Sequence, residues 1–238
     1  MKQELIHVEK SENWNKYLGD IWKDIFRKIN LDKKGIVIEI APGKENKIGN
    51  GLVNYGFAGT IYIIEPDKIA LKYIVKRYSN SMKGVSIIGI PLTLDKAIKF
   101  LPYKVDAIVA NHPLDDMLIG KALGNIFDEF FTRYYNTKEC KTSGFWKLIK
   151  KYLEIRESLI DKIVLEWEKL IKETSPNFAI ISQYESYFFK KHGIKEPDKY
   201  GLEILEKIRK SFKEKEQKSI LHQEKRIKHK KRWLVLKP

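Results

Sequence analysis

Cysteine is nearly absent from this chain of 238 residues: Cys140 stands alone. A single thiol excludes an intrachain disulfide and any cysteine-built metal cluster. Long apolar runs are missing as well. None reaches the ~20 residues that a membrane-spanning helix needs, and Met1 to Lys10 lacks the apolar centre of a secretion signal. A soluble cytoplasmic protein with no membrane contact is therefore expected. Acidic residues are in deficit, 31 against 46 Lys and Arg, for a formal net charge of +15. That excess attracts polyanions by steering and counterion release. It gathers in two places, the run Lys225 to Arg232 and the group Lys138, Lys141, Lys147, Lys150 and Lys151. A dinucleotide fingerprint G-x-G-x-x-G is missing, which argues against a nicotinamide enzyme. His7, His192, His222 and His229 are scattered without ligand spacing, so no metal is expected.

What is present is a regular alternation. Leu18, Ile21, Trp22, Ile25, Phe26 and Ile29 recur with the period of a helix, closed by Asn30. Short β-branched or apolar runs follow at Ile36–Ile40, Thr60–Glu65, Gly84–Ile88, Val105–Ala110 and Asn177–Ser182, with helical patterns between them. Strands buried on both faces and joined by helices predict an α/β fold, Rossmann-like, with a mostly parallel sheet. Ser219–His222 and Trp233–Leu236 are expected to close it as a C-terminal antiparallel strand pair. Between the fourth and fifth strands the helical stripes are far longer than a crossover needs, which predicts a helical insertion. The whole chain, residues 1–238, then reads as a single domain with an N-terminal helix at 13–30 and a helical cap at 117–173.

Chemistry is expected where such sheets bind ligands, beyond the carboxyl ends of the strands. The first strand runs out through Glu39, Ala41, Pro42 and Gly43, small residues that let a backbone approach a nucleotide closely. Glu65 ends the second strand, and a carboxylate there can accept hydrogen bonds from the two hydroxyls of a ribose. The fourth strand ends Ala110-Asn111-His112-Pro113-Leu114-Asp115-Asp116. His112 is a general-base candidate, because imidazole titrates near neutrality, or a loop histidine bonded to backbone. Asp115 and Asp116 read best as caps of the next helix.

These residues together resemble the class I S-adenosylmethionine-dependent methyltransferases, over Ile36 to Asp116. The resemblance implies S-adenosylmethionine as cofactor, with Glu39, Ala41, Pro42 and Gly43 at its amino-acid moiety, Glu65 on its ribose and Ile90 against its adenine. Asn111, His112 and Pro113 are similar to the Asp/Asn-Pro-Pro-Tyr/Phe motif of enzymes that methylate planar amino groups. His112 stands where that motif has proline, and Leu114 where it has an aromatic. The resemblance and the charge together imply a methyltransferase acting on RNA at a base amino group. Methylation of a small molecule or protein, and a non-catalytic nucleic-acid-binding protein of the same fold, are the alternatives. Phe131, Tyr135 and the run Tyr184, Tyr187, Phe188 and Phe189 are the aromatics able to face a substrate, with core packing as their competing role.

Overall fold

A computed structural model describes residues 12–123, 157–186, 190 and 195–238. The apolar runs form strands of four or five residues. Strands β1 (Ile36–Ile40), β2 (Thr60–Ile64), β3 (Ser86–Ile90), β4 (Ala107–Asn111) and β5 (Phe178–Ser182) are parallel. β6 (Trp233–Leu236) lies antiparallel to β5. The order across the sheet is β3-β2-β1-β4-β5-β6, a Rossmann-like arrangement. Alternate residues of each strand point to opposite faces and both faces are covered. Val37, Ile61, Ile63 and Val109 pack beneath α1 (Glu12–Lys28), α2 (Lys47–Tyr55) and α3 (Lys68–Ser81). Ile38, Ile40, Ile64 and Ile108 pack on the other side. Their partners there are α4 (Leu94–Ala97), α5 (Leu114–Leu123), α6 (Glu157–Thr174) and α7 (Glu196–Ser211). No helix among the described residues is long and apolar enough to cross a membrane.

The C-terminal antiparallel pairing is present, but its members are β5 and β6. Ser219–His222, expected as the second strand of that pair, lies instead in the short helix α8 (Lys218–His222). The reason lies at the free edge of β6. That edge is already met by Lys215 to Gln217, through a bridge between Glu216 and Leu236 and a bond from the Gln217 amide to the Val235 carbonyl. The chain then turns away, and Leu221 is buried beside Ile227 and Trp233 on the α1 side of the sheet.

Helix α1 is held unusually close to α2. Gly19 faces Asn50, and a Cβ added at Gly51 would meet the Trp22 Cβ at 2.6 Å and the Gly19 carbonyl at 3.1 Å. Trp22 cannot yield, because its ring is fully buried and its indole N–H donates to Asn111 Oδ1 at the end of β4. Helix propensity alone favours alanine over glycine by about 1 kcal/mol. Overpacking against a fixed neighbour costs about 1–3 kcal/mol and outweighs it. Gly51→Ala is therefore expected to destabilise the fold by about 1–2 kcal/mol in urea unfolding. A gain in stability would mean that the two helices separate freely.

Candidate functional site

The two central strands end in the same way. Ala41, just past β1, has φ 48°, and His112, just past β4, has φ 64°. A side chain in the left-handed region costs on the order of 1–3 kcal/mol and persists only where its surroundings impose it. Here they do: the Ala41 amide donates to the Ile64 carbonyl at 2.8 Å and the His112 amide to the Ser182 carbonyl at 2.7 Å. β1 leads away from the sheet centre through β2 and β3, whereas β4 begins the other half. The loops therefore part between these ends, where sheets of this type hold ligands.

A cavity of 520 Å³ opens there. Ala41 and Gly43 form its β1 wall, Glu65 and Asp67 its β2 wall, and Leu92 to Lys96 a third side. Asp116, Met117, Gly120 and Lys121 of α5 and Glu166 of α6 close it, with Lys121 and Glu166 ion-paired. Both described ends of the insertion thus reach the cavity. Its middle, with the aromatic and lysine residues expected between 124 and 156, lies outside the described residues, as do Tyr187, Phe188 and Phe189.

Glu65 is 5% exposed. Its Oε2 accepts from the Gly43 amide at 2.9 Å and its Oε1 from the Asp67 amide at 3.1 Å. Burial pushes its carboxyl up to about 7 despite those two donors. Each oxygen keeps a second lone pair, so the group can still accept from a diol in the cavity. Asp67 caps α3, its carboxylate accepting from the Ile69 and Ala70 amides.

Glu39 stands elsewhere. Its side chain faces the α2–α3 side of the sheet, away from the cavity lining, and both its oxygens lie within 3.0 Å of the Tyr78 hydroxyl. That hydroxyl also accepts from the Gly49 amide at 3.0 Å. Glu39 therefore ties β1 to α2 and α3 from behind and does not meet a ligand directly, a correction to what its place in the sequence suggests. Ile90, the expected adenine contact, ends β3 beside the cavity. Its side chain is buried on the same face as Ile64, and the residues that follow it, Pro91, Leu92 and Thr93, line the cavity. Pro42 is half-buried in the β1 loop and outside the lining.

Asn111, His112 and Pro113 form a layer behind the cavity. Asn111 Oδ1 accepts from Trp22 Nε1 at 3.2 Å and from the Ser182 hydroxyl at 3.1 Å, while its Nδ2 donates to the Tyr184 hydroxyl at 3.1 Å. The His112 ring lies against that of Tyr184, centroids 4.3 Å apart and tilted by 34°, and its Nδ1 lies 3.3 Å from Asp115 Oδ1. Burial pulls the imidazole down to about 4, against the nearby Asp116 carboxylate, so the ring is neutral at pH 7. Nε2 has no hydrogen-bond partner among the described residues. That nitrogen is buried. Pro113 is buried and its carbonyl takes the Met117 amide, starting α5.

No protein-family model matches the chain, and no curated protein does. Solved structures similar to it include the bifunctional kinase-methyltransferase WbdD, at 10% identity and a TM-score of 0.44. That match covers 75% of this chain and 31% of WbdD, so the chain spans about a third of its length. A fibrillarin/Nop5p complex follows at 9% identity and 0.43, over 87% of this chain and 72% of that one. The methyltransferase domain of bacterial CtHen1-C is 16% identical at 0.40, over 82% and 84%. Likeness of this degree carries no activity across; the chemistry has to come from this chain's own residues.

Several cavity residues carry no signal in the sequence. Thr93 and Asp95 sit at the start of the short helix α4 without a motif, and Lys121 and Glu166 are far apart along the chain. Asp116 is visible there, but as a helix cap. A buried carboxylate with a raised pKa costs stability when it ionises. Burial lifts Glu39 from 4.5 to about 8, so its contribution is intact below pH 4.5 and is lost as pH rises to about 8. Glu39→Gln keeps the shape of the neutral form. Its stability relative to wild type should rise between pH 5 and 8 by a few kcal/mol, at about 1.4 kcal/mol for each pH unit crossed. Parallel pH profiles of the two proteins in denaturant titrations would show that Glu39 ionises freely.

Proposed function

We propose that this chain is an S-adenosylmethionine-dependent methyltransferase. The observation that carries the reading is the cavity at the divergence of β1 and β4, with Glu65 at the end of β2 presenting a carboxylate into it. Ala41 and Gly43, both at positive φ, bring the β1 backbone to the same space. A nucleoside lying across the strand ends would meet Glu65 at its ribose, the Ala41–Gly43 loop at its amino-acid end, and Leu92 and Thr93 at its base. Methyl transfer needs the acceptor in line with the sulfonium carbon, and proximity supplies most of what the protein contributes. The insertion 117–173 acts as a cap in this reading, because Met117, Lys121 and Glu166 already form one wall. S-adenosylhomocysteine at a hundred times its Kd should stabilise the protein by about 2.7 kcal/mol. Glu65→Ala should weaken its binding by about 1.5–3 kcal/mol in calorimetry. No shift at millimolar ligand would rule the cofactor out, and unchanged affinity in the variant would remove Glu65 from the ribose.

The acceptor in this reading is RNA. Part of the basic tail is consumed internally: Arg226 pairs with Asp24 and Glu224, and Arg232 makes a two-pronged pair with Asp198 at 2.6 and 3.0 Å. Lys225, Lys228 and Lys231 are exposed on the same stretch and supply its charge to solvent. The Asn111 carboxamide is committed to Trp22, Ser182 and Tyr184, so it is not free to hold a base amino group. If these lysines meet phosphates, log K should fall with log salt by about 0.7 per contact for single strands. Changing Lys225, Lys228 and Lys231 to Ser should flatten that slope in filter binding with mixed RNA. Identical slopes would favour a small-molecule or protein acceptor.

A further inference from the structure

At the junction of β4 and α5 three potential ligands converge. His112, Asp115 and Asp116 each offer one ligand atom, and these atoms all lie within 4.8 Å of one another. Two features distinguish the group from a solvated acidic cluster. Asp115 is fully buried, and while its Oδ1 accepts from Gln183 Nε2 at 3.0 Å, its Oδ2 has no hydrogen-bond partner among the described residues. His112 Nε2 is likewise buried and without one. Buried polar atoms are nearly always satisfied, and two orphans in one cluster call for an ion or a water. Asp116 is the third member and borders the 520 Å³ cavity, so the cluster has an open side.

We propose that His112, Asp115 and Asp116 bind a divalent first-row transition-metal cation on the inner wall of the cavity. One imidazole and two carboxylates form a mixed nitrogen–oxygen set, which suits ions such as Mn²⁺ or Zn²⁺ better than Mg²⁺ or Ca²⁺. Ligand atoms around one such ion stand about 3–4 Å apart, so the three side chains need only a small inward rotation. Charge fits as well. Deprotonated as ligands, the two carboxylates and a neutral imidazole carry −2, and Lys47 is a nearby cation, its ammonium donating to the Tyr184 hydroxyl at 2.6 Å beside the His112 ring. Gln183 is a positioning residue: its Nε2 holds Asp115 and its Oε1 takes the Leu114 amide, which fixes the carboxylate on the first turn of α5. Asp116 borders the cavity, so water or a ligand oxygen can reach the ion from that side. The sequence led to no metal because the other four histidines are scattered; carboxylates within one short turn provide the set instead. This site does not depend on the methyltransferase reading, since its occupancy is measured without the cofactor.

The test uses the full chain, freed of metal with EDTA and titrated with Mn²⁺, with free ion counted by electron paramagnetic resonance. One Mn²⁺ per chain is expected, displaced by Zn²⁺. Asp116→Asn and His112→Gln, each checked for fold by circular dichroism, should weaken binding at least tenfold. A second measurement needs no folded Asp115 variant: pulsed resonance on the wild type should show one imidazole nitrogen coupled to Mn²⁺, lost in His112→Gln. Wild-type affinity in both variants, or bound Mn²⁺ without that nitrogen, would overturn the proposal. So would a wild type that takes up neither ion at millimolar concentration, which leaves water as the partner of the two buried atoms.

Discussion

Between β1 and β4 the sheet changes its direction of growth: the chain moves outward through β2 and β3, then returns to start the other half. Helices α2 and α3, after β1 and β2, lie on one face, and α4 to α7, after β3, β4 and β5, on the other. The loops leaving the central strands are thereby pulled apart, and the gap between them cannot be filled by either. The proposed cofactor and metal sites both sit in or beside that gap. The left-handed residues at these two strand ends, Ala41 and His112, are the local expression of the same constraint, since each strand must turn sharply there.

The gap is surrounded by buried acids. Desolvation raises Glu65 to about 7, as it does Asp115 and Asp116, and Glu39 behind them to about 8. Unpaired buried carboxylates lower stability, and cores rarely keep them without a use. They divide into two groups by partner. Glu39 meets Tyr78 and braces the β1 loop from below, a structural use. Glu65, Asp115 and Asp116 retain oxygens that a hydroxyl or a cation can engage.

The basic excess itself is only partly outward. Arg226 and Arg232 fasten the C-terminal segment to α1 and α7, and Arg232 also reaches the Gln183 carbonyl. These pairs keep β6 and the residues before it against the body of the fold, where Trp233 packs on Trp22. A run of cations in sequence is therefore a mixture of anchors and exposed charge, and the two differ only in what lies opposite them.

By itself the sequence determined the layered α/β fold. Strands buried on both faces have to be short, β-branched and continuous, and Ile36–Ile40 and Thr60–Ile64 have few other ways to hide their side chains. It also located Glu65 and the Ala41–Gly43 loop, because a strand end at a fixed offset in a parallel sheet is a local property. Tertiary structure decided the rest. Glu39 differs from its expected role by the face of the strand it occupies, which depends on which helices cover each side. Ser219–His222 became a helix because the edge it would have joined was taken by Lys215 to Gln217. The pairing of Trp22 with Asn111, of Lys121 with Glu166, and of Gln183 with Asp115 joins residues 45 to 89 positions apart. No local pattern encodes such contacts; they exist only once the sheet has brought the elements together.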